Sequence, residues 1–200
     1  MIGIIDYGLG NVLAFRNVYE RLNIPVSVAR TSGDLTNFTG LILPGVGAFD
    51  HAMERLEASG MRGSIEELVL RQGVPVLGVC VGMQMLAASS EEGRKPGLGW
   101  IGGVVRKFRG PSLALPHMGW NDVRPVPGAQ LFAGMENDAR FYFLHSYCFE
   151  CRNPQDVLAV SDYGGGFTCA VQHGGIYGVQ FHPEKSHHWG GQLLKNFAGL

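Results

Sequence analysis

The stretch VPVLGVCVGMQMLAASS, residues 74–90, constrains this chain more than any other. Val74 to Val79 is a short, β-branched apolar run behind Gly73, the pattern of a strand buried in a parallel sheet. From Gly82 the apolar residues Met83, Met85, Leu86 and Ala87 recur among polar ones, with no further Gly or Pro before Gly93, which predicts a helix. Cys80 therefore falls at a strand-to-helix turn. Gly78 and Gly82 flank it, and without Cβ atoms they permit a sharp bend and close backbone approach. Gly-x-Cys-x-Gly is the thiol counterpart of the Gly-x-Ser-x-Gly turn that presents a nucleophile above a parallel sheet. A helix N-terminus beside the sulfur favours the thiolate. The competing reading, a small buried hydrophobe, fits a residue between two glycines poorly.

Strands and helices alternate through the first half. Met1 to Asp6 reads as a buried strand, followed by the turn YGLGN and a helix with Val12, Phe15, Tyr19 and Leu22 on one stripe. Gly8-Leu-Gly10 is not a dinucleotide fingerprint, because Leu13 stands where the third glycine belongs. Pro25 to Arg30 and Gly40 to Leu43 read as strands, and helices are expected through Ala52, Met53 and Leu56 and through Ile65, Leu68 and Val69. Such alternation implies a parallel sheet with both faces covered. Pro44-Gly-Val-Gly47 then lies just past the carboxyl end of a strand, where open α/β sheets place ligands, with a purely structural loop as the alternative.

After Gly93 the texture changes. Trp100 to Phe108, Asn121 to Arg124, Phe141 to Glu150, Val157 to Tyr163, Phe167 to Gln172 and Ile176 to His182 read as short strands between Gly, Pro and Asn signals. Helix returns only at Gly191 to Phe197. The second half is expected to extend the sheet with antiparallel hairpins. Residues 1–200 suit one domain.

A net charge of -1 argues against nucleic acid or an anionic membrane as the main partner, and Arg106, Lys107 and Arg109 read as a solvated strand end. MIGIIDYG shows no signal peptide, and no apolar run approaches the ~20 residues of a membrane span. With four cysteines and no secretory signal, a reduced cytoplasmic protein is expected.

A cysteine nucleophile needs a base, and of seven histidines His182 in GVQFHPEKS is the best placed. Pro183 opposes helix, so His182 and Glu184 are expected to be extended and to project to one side. A carboxylate there would fix the imidazole tautomer and favour its protonated form.

With PGVG, GVCVGMQ and HPE in that order, the whole chain resembles the triad-type class I glutamine amidotransferases. IDYGLGNV, LPGVGAFDHAM, PHMGWN, FYFLHSY and GVQFHPEKS narrow the resemblance to the family of glutaminase subunits of imidazole glycerol phosphate synthase, in histidine biosynthesis. Val81 is a mild departure, at a position where Leu is commoner in that family. The resemblance implies a flavodoxin-like parallel sheet flanked by helices, a single amidotransferase domain and no cofactor or metal. It implies Cys80 as nucleophile, His182 as acid and base, Glu184 as orienting carboxylate, and the amides of Val81 and Gly47 as oxyanion hole. It further implies L-glutamine contacts at Gly45, Gln84, Glu92, Ser146 and Tyr147. The implied partner is a (β/α)8 cyclase that receives ammonia in a heterodimer and activates the glutaminase, docked at Asn11, Trp120, Tyr142 and Lys185. For Trp120 and Tyr142, burial in the core competes with that reading.

Cys148-Phe-Glu-Cys151 has CxxC spacing but falls in an expected strand, where positions i and i+3 face opposite ways, and no second pair exists to complete a metal site. His187-His188 reads as a surface pair. Alternative functions are a stand-alone cysteine hydrolase, the glutaminase subunit of pyridoxal phosphate synthase, against which PHMGWN and HPEKS argue, and a catalytically silent regulatory subunit.

Overall fold

The computed structural model describes residues 1–110, 113–135 and 138–200 of the chain. In its first half strands alternate with helices: β1 (Ile2–Ile5), α1 (Val12–Arg21), β2 (Val26–Ala29), β3 (Gly40–Gly45), α2 (Phe49–Ala58), α3 (Arg62–Glu66), β4 (Val76–Cys80) and α4 (Val81–Met85). A π-helical turn, Glu67–Arg71, continues α3. Strands dominate the rest: β5 (Ser89–Ser90), β6 (Gly103–Lys107), β7 (His117–Asp122), β8 (Arg124–Pro125), β9 (Arg140–His145), β10 (Tyr147–Cys151), β11 (Val157–Asp162), β12 (Gly166–His173) and β13 (Ile176–Val179). The helix α5 (His187–Phe197) closes the chain.

The strands β2, β1, β3, β4 and β13 pair in parallel in that order. Every residue of β1, β3, β4 and β13 is buried, as expected of strands with helices on both faces. Helices supply the cover with i, i+3, i+4 stripes: Phe49, Ala52, Met53 and Leu56 of α2, and Gly190, Leu193, Leu194 and Phe197 of α5. On α1 the buried stripe is Val12, Phe15, Val18 and Tyr19, and Leu22, at the helix end, is partly buried against the same core. Each large apolar side chain so buried contributes roughly 1.5–3 kcal/mol. Beyond β13 the sheet turns antiparallel through β12, β10 and β6, with β11 and β8 leaving from β12. A separate antiparallel ribbon joins β7 to β9.

Several expectations need correction. The helix after Cys80 stops at Met85, because residues 97–101 and Gly103 take the hydrogen bonds its next turn would use: Leu98 N–H donates to Met85 O, Ile101 N–H to Leu86 O and Ala88 N–H to Gly103 O. Pro44 and Gly45 lie inside β3, paired with Val79 and Cys80, so only Val46 and Gly47 form the loop. The expected strand Phe141 to Glu150 is two strands in two sheets, broken at Ser146. The last strand ends at Val179 and pairs in parallel with β4 rather than only within an antiparallel hairpin, and α5 starts at His187, four residues before the expected start.

Among the described residues no helix is long and apolar enough to cross a membrane.

Candidate active site

At the end of β4 the chain reverses within one residue. Cys80 adopts φ 56° and ψ -114°, a conformation that L side chains rarely take, and α4 begins at the next residue. The turn closes on itself: a Cβ at Gly78 would stand 2.6 Å from Gly82 O, and one at Gly82 would overlap Leu43 O of β3. Both positions require glycine for close approach, as the flanking pattern implied. A helix of five residues offers little dipole, so the charge partner at hand for the sulfur is His182.

His182 leaves β13 through an aromatic stack. Phe181 lies face to face with Phe141 of β9 at 4.0 Å, and His182 N–H donates to Tyr142 O at 2.9 Å. Tyr142 N–H in turn donates to Ser186 Oγ, whose hydroxyl donates to His182 O. The segment Pro183–Lys185 is a 3-10 turn, not the extended chain expected. It nonetheless brings His182 Nδ1 to 2.9 Å from Glu184 Oε1, and both side chains are almost wholly buried. Burial pushes the imidazole toward neutrality, but hydrogen bonds with Cys80 and Glu184 outweigh it and raise its pKa to about 10. The site thus holds a thiol, an imidazole that favours its charged form, and a carboxylate in series.

A cavity of about 240 Å³ opens onto this series, lined by Val46, Gly47, Cys80, Val81, Gln84, Glu92, Leu144, His145, Ser146, Tyr147, His182 and Lys185. It gathers Gly47, Val81, Gln84, Glu92, Ser146 and Tyr147 from four separate parts of the sequence. Gly45 and Glu184 are not in its wall: Gly45 packs its backbone under the Val81–Gly82 peptide, and Glu184 stands behind His182. One wall is clasped from both sides. Glu92 Oε2 accepts from Phe49 N–H, and Asp50 accepts from Arg94 and Lys95 N–H at 2.9–3.0 Å. The clasp fixes the end of the Val46–Ala48 loop to the segment that carries Glu92.

Sequence reasoning gave no role to Gln180, although it stands within GVQFHPEKS. It is fully buried; its Oε1 accepts from Gln84 Nε2 at 3.0 Å, and its Nε2 lies 3.8 Å from Cys80 Sγ. His145 on the cavity wall and Asp50 were also missed; only a three-dimensional neighbour distinguishes them from ordinary polar residues.

Trp120, Tyr142 and Lys185 gather at the rim. The Trp120 and Tyr142 rings are 6.4 Å apart, and Lys185 Nζ sits 5.8 Å from the Tyr142 centroid. Trp120 is 42% exposed, which excludes core burial for it, and Tyr142 is half-buried. Cross-strand pairing adds Met118 beside Leu144 on the same ribbon face, both exposed. Asn11 is exposed where β1 turns into α1, outside that cluster.

A larger groove of about 680 Å³ runs along β6, β10 and β12, lined by Arg106, Arg109, Cys148 and Cys151 among others. Its guanidinium groups are held by Glu91 and Glu150, and burial raises the Cys148 and Cys151 thiols to about 11 and about 12. It holds no paired nucleophile and base. Among the described residues no three His, Cys, Asp or Glu side chains form a group that could hold a metal.

A parallel core sheet covered by helices, a cysteine elbow and an adjoining His-x-Glu turn stand together in this chain, and it belongs to the class I glutamine amidotransferases, whose model, glutamine amidotransferase class-I, matches residues 4–199. Within it the chain is similar, over the full length of both sequences, to the imidazole glycerol phosphate synthase subunit HisH of Bdellovibrio bacteriovorus at 62% identity and of Leptospira interrogans at 52%. HisH 2 of Pseudomonas aeruginosa is 45% identical, again over the whole of both chains. The fold matches a solved glutamine amidotransferase with a TM-score of 0.77 at 19% identity, covering 100% of this chain and 99% of that one. It also matches PurLQS from Thermotoga maritima with a TM-score of 0.76 at 17% identity, covering 99% and 97%.

Proposed function

We propose that this chain is the glutaminase subunit of an imidazole glycerol phosphate synthase, a cytoplasmic enzyme of histidine biosynthesis. It hydrolyses L-glutamine and passes the ammonia to a (β/α)8 cyclase, which uses it to form imidazole glycerol phosphate and aminoimidazole carboxamide ribotide. The observation that carries the chemistry is the buried series of Cys80, His182 and Glu184 opening on a cavity large enough for a small amino acid. The full-length likeness to HisH subunits carries the choice of pathway. Neither a stand-alone hydrolase nor a pyridoxal phosphate synthase subunit has comparable support.

In this reading the Cys80 thiolate attacks the side-chain amide carbon, and the amides of Val81 and Gly47 receive the developing oxyanion. The first residues of a helix have N–H groups without intrahelical partners, which suits Val81 for that part. Protonated His182 hands its proton to the departing ammonia. Neutral His182 then takes a proton from the water that cleaves the γ-glutamyl thioester, and sulfur leaves as the thiolate, which restores the thiolate–imidazolium pair. Glu184 keeps Nδ1 occupied, so Nε2 is the working nitrogen. Gln84, Glu92, Ser146 and Tyr147 bind the amino-acid end, with Glu92 facing its ammonium. Gly45 contributes by setting the backbone beneath the elbow.

Ammonia in neutral water is mostly protonated and unreactive, so delivery requires a dry passage into the partner. The exposed face formed by Trp120, Tyr142 and Lys185, with Asn11, is the docking rim of a heterodimer that switches the glutaminase on. Glutamate release is measured for the free chain, for the complex with the cyclase, and for the complex with the cyclase ligand. The rate is expected to rise across that series, and ammonium salts are expected to support the cyclase without this chain. Equal rates in all three, or failure of the ammonium bypass, would overturn the reading.

A further inference from the structure

Beside Ser146 and Tyr147 lie two buried histidines for which the proposed reaction has no use, His145 at the cavity wall and His117 behind it. His117 of β7 and His145 of β9 face each other across the ribbon, with His117 Nδ1 2.9 Å from His145 Nε2. At one end His145 Nδ1 meets Tyr147 O at 2.8 Å; at the other Asn121 Nδ2 meets His117 Nε2 at 3.2 Å. The direction of every bond follows from its ends. A carbonyl only accepts, so His145 Nδ1 carries the proton and its Nε2 accepts; His117 Nδ1 must then donate and its Nε2 accept. Asn121 is locked in the donating orientation, because its Nδ2 also donates to Asp162 O and its Oδ1 accepts from Asp122 N–H, both at 2.8 Å.

We propose that Asn121, His117 and His145 are positioning residues: a one-way hydrogen-bond chain that holds the Tyr147 carbonyl, and with it the Ser146–Tyr147 wall of the glutamine cavity. The inference rests on the glutamine reading of that cavity. Tyr147 O is where the chain acts, since it also takes a hydrogen bond from Gln84 Nε2 at 3.4 Å. Ser146 is the break between the ribbon strand β9 and the main-sheet strand β10, where β6 holds the Ser146 carbonyl through Phe108 N–H at 3.1 Å and pairs Lys107 with Tyr147. The histidine chain adds a hold on the next carbonyl, that of Tyr147.

Its surroundings keep it neutral. Phe143 and Tyr163 stack on His117 at 4.8 and 4.1 Å, and Phe108 and Phe167 pack against both imidazoles. The ionisable groups facing the pair are the Tyr163 phenol and, across the cavity, His182, Lys185 and Glu92. Burial lowers the His117 pKa to about 4. Burial also lowers His145, to about 3, against its bond to Tyr147 O and with help from His117 and His182. A proton added to His117 would set its Nε2–H against the Asn121 N–H.

Two measurements on the full chain test this. Nitrogen-15 NMR of the histidines reads the tautomers: both are expected as Nδ1–H forms that do not titrate between pH 8 and 5. Glutamine protection of Cys80 from iodoacetamide reads the wall, as the concentration giving half-protection. His145→Phe keeps the ring volume but removes the donor to Tyr147 O, and half-protection is expected to need about tenfold more glutamine. In Asn121→Asp the carboxylate accepts from His117 Nε2. The chain still runs forward while His117 is protonated and reverses once it is neutral, so the half-protection concentration should rise between pH 6 and pH 8 while the wild type stays flat. Nε2–H tautomers in the wild type, or variants protected like the wild type at both pH values, would overturn the proposal. A wild-type chain that glutamine does not protect would overturn the glutamine reading, and the proposal with it.

Discussion

At Cys80 the backbone sits at φ 56°, a conformation that costs a non-glycine residue about 1–3 kcal/mol. The sheet and α4 enforce it on both sides, and the result is a cysteine 5% exposed that lines the cavity. Cys80→Ala keeps the strain and removes only the sulfur, so glutamine hydrolysis should vanish with the urea midpoint nearly unchanged. Cys80→Gly should also be inactive, yet more stable than Cys80→Ala by about 1 kcal/mol, the reverse of the usual order. Urea unfolding of both variants checks this, and an alanine variant that is the more stable would show the turn to be unstrained. Gln180→Leu leaves Gln84 Nε2 without its 3.0 Å partner in a buried site, where an unpaired group costs about 1–3 kcal/mol. A fall in kcat/KM of roughly tenfold or more is expected, against little change if Gln180 only fills space. Glu184→Gln should be milder than loss of the thiol. Because Glu184 helps raise His182 to about 10, the amide should move the alkaline limb of the pH–rate profile to lower pH.

Whole elements carry the rest of the geometry. The loop Val46–Ala48 belongs neither to β3 nor to α2, and its far end is set by the clasp in which Glu92 caps Phe49 while Asp50 caps Arg94 and Lys95. Backbone hydrogen bonds to Arg94 and Lys95 hold the Asp50 carboxyl below its usual range. Asp50→Ala should therefore loosen the 92–95 segment and the loop together, raising KM for glutamine several-fold before it affects folding. Steady-state kinetics beside a thermal melt separates the two effects, and an unchanged KM would mean that the clasp is incidental. The ribbon of β7 and β9 has a comparable role, because Phe141 and Tyr142 of β9 fix where His182 leaves the sheet.

For the molecule as a whole, buried histidines make stability depend on pH in opposite directions. His117 and His145 have folded pKa values near 4 and 3, below the ~6.5 of an unfolded chain, so their contribution is present above pH ~6.5 and lost as pH falls through 4. His182 is raised to about 10, so its contribution is complete below pH ~6.5 and lost as pH rises through 10. Stability from these groups should therefore peak near neutrality. Urea midpoints at pH 4.5, 7 and 9.5 test the shape. His145→Phe should flatten the acid arm and Glu184→Gln the alkaline one, and arms unchanged in both variants would assign the pH dependence to other groups.

The amino-acid order alone determined the parallel strands of the first half, because strands covered on both faces must be continuous apolar runs, and β1, β3 and β4 are, whereas the parallel seat of β13 beside β4, a strand expected among the antiparallel hairpins, was set by tertiary pairing. It also determined the elbow, since glycines on both sides of Cys80 serve few other purposes, and the pairing of His182 with Glu184, which needs only local geometry. Competition between distant segments decided what pattern could not. Met83 to Ala87 has helical spacing, but hydrogen bonds from residues 97–101 end α4 at Met85. Phe141 to Glu150 is one apolar stretch in sequence, but its two halves find partners in different sheets and break at Ser146. Gln180, Asp50 and the His117–His145 chain became visible only with their neighbours, because a polar side chain's part in a site is set by what stands opposite it, and those partners lie far along the chain.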